Sequence, residues 1–293
     1  MISQKISPEL LKRLACPRCG KALRSVSPVQ LVCNGCGKKI PVVNGKPFYT
    51  PVPPGMTAAP KIDRGPEEGS PWRQANWRFL EKFISTLPGS AVILDFGAGH
   101  GDFTAVLQKR KVIALDVYPY EEVDIVCDLQ KDVPFKRASF DAIVLMNVLE
   151  HIQQPERLLK TLAALLRPGG SLIVAVPFLL KLHQLPYDFY RYSHHQLENL
   201  GREAGLDVLS VEGYYDPILL MKESAINIHA FALPRRSFLP RKTARVMLEG
   251  LTWILSGIRR IIGEGYIGDP AVEKSPYPIG YHVVYRVRKG KKQ

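Results

Sequence analysis

Long apolar runs are missing from this 293-residue chain. The longest candidate, residues 171–180, is about half of the roughly 18 residues that a membrane-spanning helix needs. The first fourteen residues carry no apolar core of the kind a secretory leader uses, so the expected compartment is the cytoplasm. Cysteine is scarce: there are five, and four of them fall within the first 36 residues. That excludes a disulfide scaffold. Acidic residues are nearly absent from the first 64 positions, two against 11 Lys and Arg. No internal repeat occurs, and no run interleaves aromatic and basic residues as an RNA-binding motif would. What remains is 46% hydrophobic and 23% charged, the composition of a globular protein of one large or two unequal domains.

Charge is distributed unevenly. Residues 1–64 sum to +9, residues 92–212 to −4, and residues 213–293 to +8, within an overall +13. Basic ends attract phosphate-bearing partners such as nucleic acid, anionic lipid or nucleotide-linked sugars, or else simply keep a solvated surface soluble.

The early cysteines, Cys16, Cys19, Cys33 and Cys36, read C-x2-C, thirteen residues, C-x2-C, with a glycine after each pair (Gly20 and Gly37). Glycine takes positive φ at little steric cost, which lets two thiolates turn onto one ion. Four thiolates at this spacing suit a structural, tetrahedral zinc with no open position better than two disulfides or a redox C-x2-C, since the pairs are two and matched and the expected compartment is the cytoplasm. A segment this short scarcely folds without one. The stretches Leu14-Ala-Cys-Pro-Arg-Cys-Gly, Leu31-Val-Cys-Asn-Gly-Cys-Gly and Ile40-Pro-Val-Val-Asn-Gly-Lys-Pro resemble the zinc ribbon of the tRNA-methyltransferase-activator type. That resemblance implies a partner or appendage of a methyltransferase.

A Pro/Gly-rich stretch follows, and the expected division is a ribbon over 1–50, a linker over 51–71 and a second domain over 72–293. Apolar spacing predicts a helix from Trp72 to Leu87, stopped by Pro88-Gly89. Short apolar runs then alternate with helical ones. Strands are expected at 91–96, 112–116, 124–128, 140–147, 172–176, 206–211 and 281–287, and helices at 103–109, 155–166 and 193–204. This is an α/β pattern: a doubly wound, seven-stranded, mainly parallel sheet covered on both faces. The fifth cysteine, Cys127, reads as a small core residue.

Asp95-Phe-Gly97-Ala-Gly99-His-Gly101 lies between the first strand and first helix of this pattern, where such sheets bind ligands. The spacing D-x-G-x-G-x-G differs from the G-x-G-x-x-G of dinucleotide loops. A pyrophosphate would sit badly beside the Asp95 carboxylate, whereas a cationic ligand such as S-adenosylmethionine would not. Asp116 ends the second strand, where an acid can accept both ribose hydroxyls. Asp128 ends the third and is placed to bond an adenine amino group. Each acid taken alone also reads as a helix cap or turn former.

These stretches, with Ser139-Phe-Asp-Ala-Ile-Val-Leu-Met-Asn-Val-Leu-Glu-His151 and Leu166-Arg-Pro-Gly-Gly-Ser-Leu-Ile-Val-Ala-Val-Pro177, resemble the class I S-adenosylmethionine-dependent methyltransferases over about 72–215 and 280–289. The resemblance implies the sheet order 3-2-1-4-5-7-6 with an antiparallel seventh strand. It places Gly97, Gly99 and Gly101 at the methionine part of the donor, Asp95 near its ammonium, Asp116 on the ribose, Asp128 and Leu129 at the adenine, and Asn147 near the reacting methyl. One departure stands out. Only residues 117–123 join strands two and three, too few for the usual crossover helix, so the sheet is expected to be exposed beside the adenine end.

Methyl transfer is a direct displacement, in which positioning contributes most; a base is needed only when the acceptor must lose a proton. The candidates are His151, and the loop residues His183, Tyr187, Asp188, Tyr190 and Arg191. The stretch Leu185-Pro-Tyr-Asp-Phe-Tyr-Arg-Tyr-Ser193 resembles a segment of a methyltransferase subgroup with diverse small-molecule and glycan substrates. A bland alternative stands beside each candidate: a capping histidine, and a loop whose Arg191 and Asp188 pair with each other. Residues 216–279 form an insertion in which 217–233 and 243–262 are expected to be helical. The second is apolar and basic, so a substrate lid, a peripheral contact with an anionic membrane, a dimer face and plain core packing all stay open. The expected acceptor is a small molecule, a glycan or a lipid-linked intermediate. The rivals are an RNA methyltransferase (rRNA or tRNA) and a donor-binding scaffold or activator without turnover. Oligomeric state is not legible.

Overall fold

The computed structural model describes residues 6–51, 71–131, 133–214 and 278–288, together with eight positions between 243 and 257. The linker core and the helix expected at 217–233 lie outside these. Two compact units emerge. One comprises residues 1–176, 182–211 and 282–293; the other comprises 177–181 and 212–281.

The first unit opens with α1 (Pro8–Arg13), capped by the Ser7 hydroxyl, which accepts from the Leu10 amide at 3.1 Å. Four strands follow in the order β1 (Leu23–Ser27), β2 (Gln30–Cys33), β3 (Lys39–Val43) and β4 (Lys46–Pro47). The β1/β2 and β2/β3 pairs are antiparallel, and alternate residues of β3 are buried, as the period of two requires.

The large sheet contains β5 (Val92–Phe96), β6 (Lys111–Asp116), β7 (Ile125–Val126), β8 (Phe140–Met146), β9 (Leu166–Pro177), β10 (Leu206–Tyr214) and β11 (Gly280–Val287). Its order is β10-β11-β9-β8-β5-β6-β7, the order the resemblance implied. The β5/β6, β5/β8, β6/β7 and β8/β9 pairs are parallel. All five residues of β5 are buried, as a central strand covered on both faces must be. On one face, Trp77, Leu80 and Ile84 of α2 (Pro71–Ser85) and Val106 and Leu107 of α3 (Thr104–Leu107) pack against Ile93, Val144, Ile173 and Ala175. Leu158, Leu159, Leu162 and Leu165 form the buried stripe of α4 (Pro155–Leu165), and α5 (His194–Glu203) starts at the Ser193 cap.

Two elements differ from the sequence reading. The strand expected at 172–176 begins at Leu166, because Gly169 at φ +81° and Gly170 let the chain bulge and pair Leu166 with Phe140 before the regular register resumes at Ser171. The third strand of the large sheet has two paired residues, not five.

The expected exposure beside that strand is also corrected. Phe48 forms a parallel bridge with Val126, and the Tyr49 amide donates to the Val126 carbonyl at 2.8 Å. Leu14 bridges Phe135, while Ala15 donates to the Pro134 carbonyl and Lys136 to that of Arg13. The N-terminal module therefore occupies the edge left bare by the missing crossover helix. Ile125 and Val126 are fully buried, as the covered edge of an apolar strand should be.

In the second unit, Phe178 and Leu179 donate to the Ile279 carbonyl, and Ile279 donates to that of Tyr214. Positions 243, 246, 247, 250, 251, 253, 254 and 257 are helical, in line with the expectation for 243–262, and Val246, Met247, Trp253 and Ile254 are exposed.

Candidate functional site

The four sulfurs of Cys16, Cys19, Cys33 and Cys36 lie within 4.8 Å of one another. Cys16 is 3.6 Å from Cys36, and Cys19 is 3.4 Å from Cys33. Ligands on a tetrahedral ion with Zn–S near 2.3 Å stand about 3.8 Å apart, so the donor set fits zinc. None of the four is in a disulfide. The two halves match: Gly20 and Gly37 both sit at φ +70°, and their amides donate to the Cys16 and Cys33 carbonyls. Amide N–H groups of Cys36 and Gly35 lie against the Cys33 sulfur and hold its thiol below the ordinary value. This is a closed, structural zinc site.

The second site lies at the carboxyl edge of the large sheet. Gly97, Gly99 and Gly101 all have positive φ. A Cβ at Gly97 would come within 2.5 Å of Val148 Cγ2, so the loop presses against the chain leaving β8. The Gly97 and Ala98 amides donate to the Leu115 carbonyl. Asp116 accepts from Gly99 N at 2.9 Å on one oxygen and from Tyr118 N at 3.0 Å on the other.

Asp95 and Asp116 are both buried. Burial, followed by the charge of Asp116, pushes the Asp95 carboxyl up to about 7. Burial also raises Asp116, against the amide N–H groups that favour its ionised form. Asn147 follows β8 at φ +58°, with its Oδ1 buried and, among the described residues, without a hydrogen-bond partner. The His100 ring lies 4.2 Å from that of Tyr120, and Tyr120 is 5.8 Å from Tyr118. This aromatic group beside Asp116 went unread in the sequence.

Asp128 and Leu129 follow β7. Asp128 accepts from Gln130 N at 3.0 Å and pairs with Lys131 at 2.9 Å, so its carboxylate shapes the turn. Gln130 Nε2 in turn donates to the His151 carbonyl at 2.7 Å. Cys127 is buried in the core, as expected.

His151 belongs to a 3-10 turn, Leu149–His151. Its Nδ1 lies 2.6 Å from the Tyr187 carbonyl. The 183–192 segment is fastened to the same turn: Phe189 and Tyr190 amides donate to the Glu150 carbonyl, and the Tyr192 hydroxyl donates to that of Leu149. Arg191 grips Asp188 through two bonds of 2.6 and 2.9 Å. That guanidinium, with the His183 amide, holds the Asp188 carboxyl down at about 2. Asp188 therefore stays ionised at neutral pH. It orients neighbours and has no proton to give, and Arg191 spends its charge on it. The Tyr187 side chain is exposed. Glu150, a residue given no role from sequence, is fully buried here. A carboxylate four places beyond a strand end reads as solvated until the fold closes over it.

Residues 72–211 match a family described as a methyltransferase domain. Among curated proteins, the chain is 31% identical over 116 residues to the tRNA (carboxymethyluridine(34)-5-O)-methyltransferase ALKBH8 of Mus musculus, covering 36% of this chain and 17% of that protein. It is 28% identical over 183 residues to a ubiquinone biosynthesis O-methyltransferase of Coxiella burnetii, covering 48% and 74%. The chain thus spans about a sixth of the first relative's length. Among solved structures, a SAM-dependent methyltransferase from Archaeoglobus fulgidus aligns with a TM-score of 0.45 at 16% identity, over 74% of this chain and 95% of that one. A Haloferax volcanii complex containing the Trm112 methyltransferase activator gives 0.47 at 18%, over 74% and 92%.

Proposed function

We propose, from the match of residues 72–211 to a methyltransferase-domain family, that the chain transfers the methyl group of S-adenosylmethionine to a small-molecule, glycan or lipid-linked acceptor. The observation that carries this reading is the pair of buried acids, Asp95 and Asp116, next to a loop of three glycines at positive φ. Two carboxyls brought together out of water repel, and each prefers its proton. A cationic nucleoside relieves that conflict, whereas a phosphate deepens it. Asn147 Oδ1 and His100 Nδ1, buried and lacking hydrogen-bond partners among the described residues, are further polar atoms that a bound donor can satisfy.

In this reading Gly97, Gly99 and Gly101 let the backbone approach the methionine part, Asp95 faces its ammonium and Asp116 holds the ribose. Asp128 and Leu129 flank the adenine, and Asn147 stands at the reacting end. The sulfonium of the donor supplies the activated methyl group. The protein orients the acceptor, excludes water and handles any proton. His151, Tyr187, Asp188 and Arg191 form the acceptor side. The Tyr187 carbonyl fixes the His151 ring, and the Asp188–Arg191 pair holds the segment that carries Tyr187. The proposed domains are the ribbon at 1–50, the linker at 51–71 and the methyltransferase domain at 72–293 with an insertion at 216–279.

Calorimetry with S-adenosylmethionine tests the donor claim: binding by the intact chain and its loss in Asp116→Ala support it, and no heat from the intact chain removes it. Turnover of labelled donor separates an enzyme from a scaffold. An RNA acceptor is the second reading, favoured by the +9 charge of residues 1–64 and by the tRNA-methyltransferase relatives. It requires RNA affinity that falls steeply with salt.

A further inference from the structure

Glu150, His151 and His183 bring one carboxylate oxygen and two imidazole nitrogens within 4.8 Å of one another. From His151 Nε2 to Glu150 Oε1 is 3.7 Å, and from His183 Nε2 to the same oxygen 3.6 Å. We propose that these three residues bind a divalent first-row transition-metal ion, separate from the cysteine-bound zinc.

The tautomers are set by neighbours. A carbonyl only accepts, so His151 Nδ1, at 2.6 Å from the Tyr187 carbonyl, carries the hydrogen. Nε2 of the neutral ring then presents a lone pair. Ionised Asp188 likewise only accepts, and its Oδ2 lies 3.3 Å from His183 Nδ1, which leaves His183 Nε2 turned to Glu150. Among the described residues, neither oxygen of the fully buried Glu150 carboxylate has a hydrogen-bond partner, nor has His151 Nε2. The lone pair of His151 Nε2 thus faces a buried carboxylate, and a bound cation offsets the cost of burying that charge.

The spacing matches the ion. Ligand atoms about 2 Å from a common metal stand about 3.3 Å apart in a tetrahedral arrangement, a few tenths of an ångström inside the separations found. Both rings have the outer partner that metal-bound histidines use, a carbonyl for His151 and a carboxylate for His183. Two imidazoles and one carboxylate suit manganese through zinc, whereas magnesium and calcium favour oxygen alone. Three protein ligands leave open positions, unlike the closed cysteine set. Those positions take oxygen donors. Resting on the methyltransferase reading, this makes the acceptor a molecule that presents a hydroxyl group to the metal.

The test uses the full-length, zinc-loaded chain and Mn2+ as the probe, because thiolate ribbons disfavour that ion. Electron paramagnetic resonance and calorimetry are expected to find one Mn2+ site per chain. It is expected to vanish in Glu150→Gln and in His183→Asn, and to weaken by about 10–100-fold in Asp188→Asn. Two different ligand variants are used so that a folding defect in one leaves the other informative. A chain that binds S-adenosylmethionine yet takes up neither Mn2+ nor a second equivalent of zinc overturns this inference and leaves the methyltransferase reading intact. Metal uptake without donor binding does the reverse.

Discussion

Asp116 Oδ2 accepts the Gly99 amide at 2.9 Å, so the acid that ends β6 also fixes the centre of the glycine loop. In the proposed function, ligand recognition and loop shape share one carboxylate. Asp116→Ala is expected to lower donor affinity by about 10–100-fold, the range of a lost charge-assisted hydrogen bond with its loop anchor. Asp116→Asn, which keeps one acceptor oxygen, should fall between. Calorimetry on both variants checks the order, and equal affinity in Asp116→Ala and the parent chain contradicts it.

Gly97 and Gly99 separate two costs. Both have positive φ, but a Cβ at Gly97 meets Val148 while one at Gly99 meets nothing within 4 Å. Gly99→Ala should therefore cost only the left-handed backbone penalty, about 1–2 kcal/mol. Gly97→Ala should cost more, and Val148→Ala should relieve part of the excess without removing the backbone strain. Denaturant unfolding of the two single variants and the Gly97→Ala/Val148→Ala double variant reads this coupling.

Facing the donor as proposed, Asp95 is expected to make donor binding depend on pH. With its carboxyl raised to about 7 by burial and by Asp116, the donor-free protein holds a proton that the unfolded chain, near 3.9, has released. The stabilising effect of that proton is complete below about 4 and is lost as pH rises through 7. Donor-free Asp95→Asn should therefore melt above the parent protein at pH 8, and the gap should narrow towards pH 5. In the parent chain, affinity for the cationic donor should rise between pH 6 and 8 as Asp95 ionises. Melting curves and calorimetry across that interval read both effects.

Lys46 links the zinc module to the donor side. Its ammonium donates to the carbonyls of Glu121, at 2.9 Å, and Tyr120, on the loop that follows Asp116. Removing zinc, or replacing Cys33 with serine, should release β4 and Lys46 together. Donor affinity should fall several-fold, and the edge of β7 should lose hydrogen-exchange protection. Lys46→Met should reproduce part of the affinity loss with zinc still bound. Metal analysis should return about one zinc per chain with the Glu150 site empty.

Local chemistry made much of this legible. The C-x2-C spacing with its glycines announced a metal knuckle, because four thiolates and two tight turns need only nearby residues. Apolar runs of strand length, stopped by Gly and Pro, announced the sheet, and Asp95, the glycine loop and Asp116 fell at strand ends by counting. The order of the seven strands came from family resemblance, since periodicity does not say which strands are neighbours.

What the sequence determined by itself was therefore which segments are helix, strand and knuckle, and which charge the loop prefers. The tertiary structure alone decided that Phe48 and Tyr49 would cover the bare edge at Val126, and that Arg191 would be consumed by Asp188. It alone brought Glu150, His151 and His183 around one point. The first and last of those relations join residues from about 30 to 80 positions apart, while the Asp188–Arg191 pair, three positions apart, was one of the alternatives the sequence left open. Burial and distant contact are properties of packing, and no local pattern of residue types encodes them.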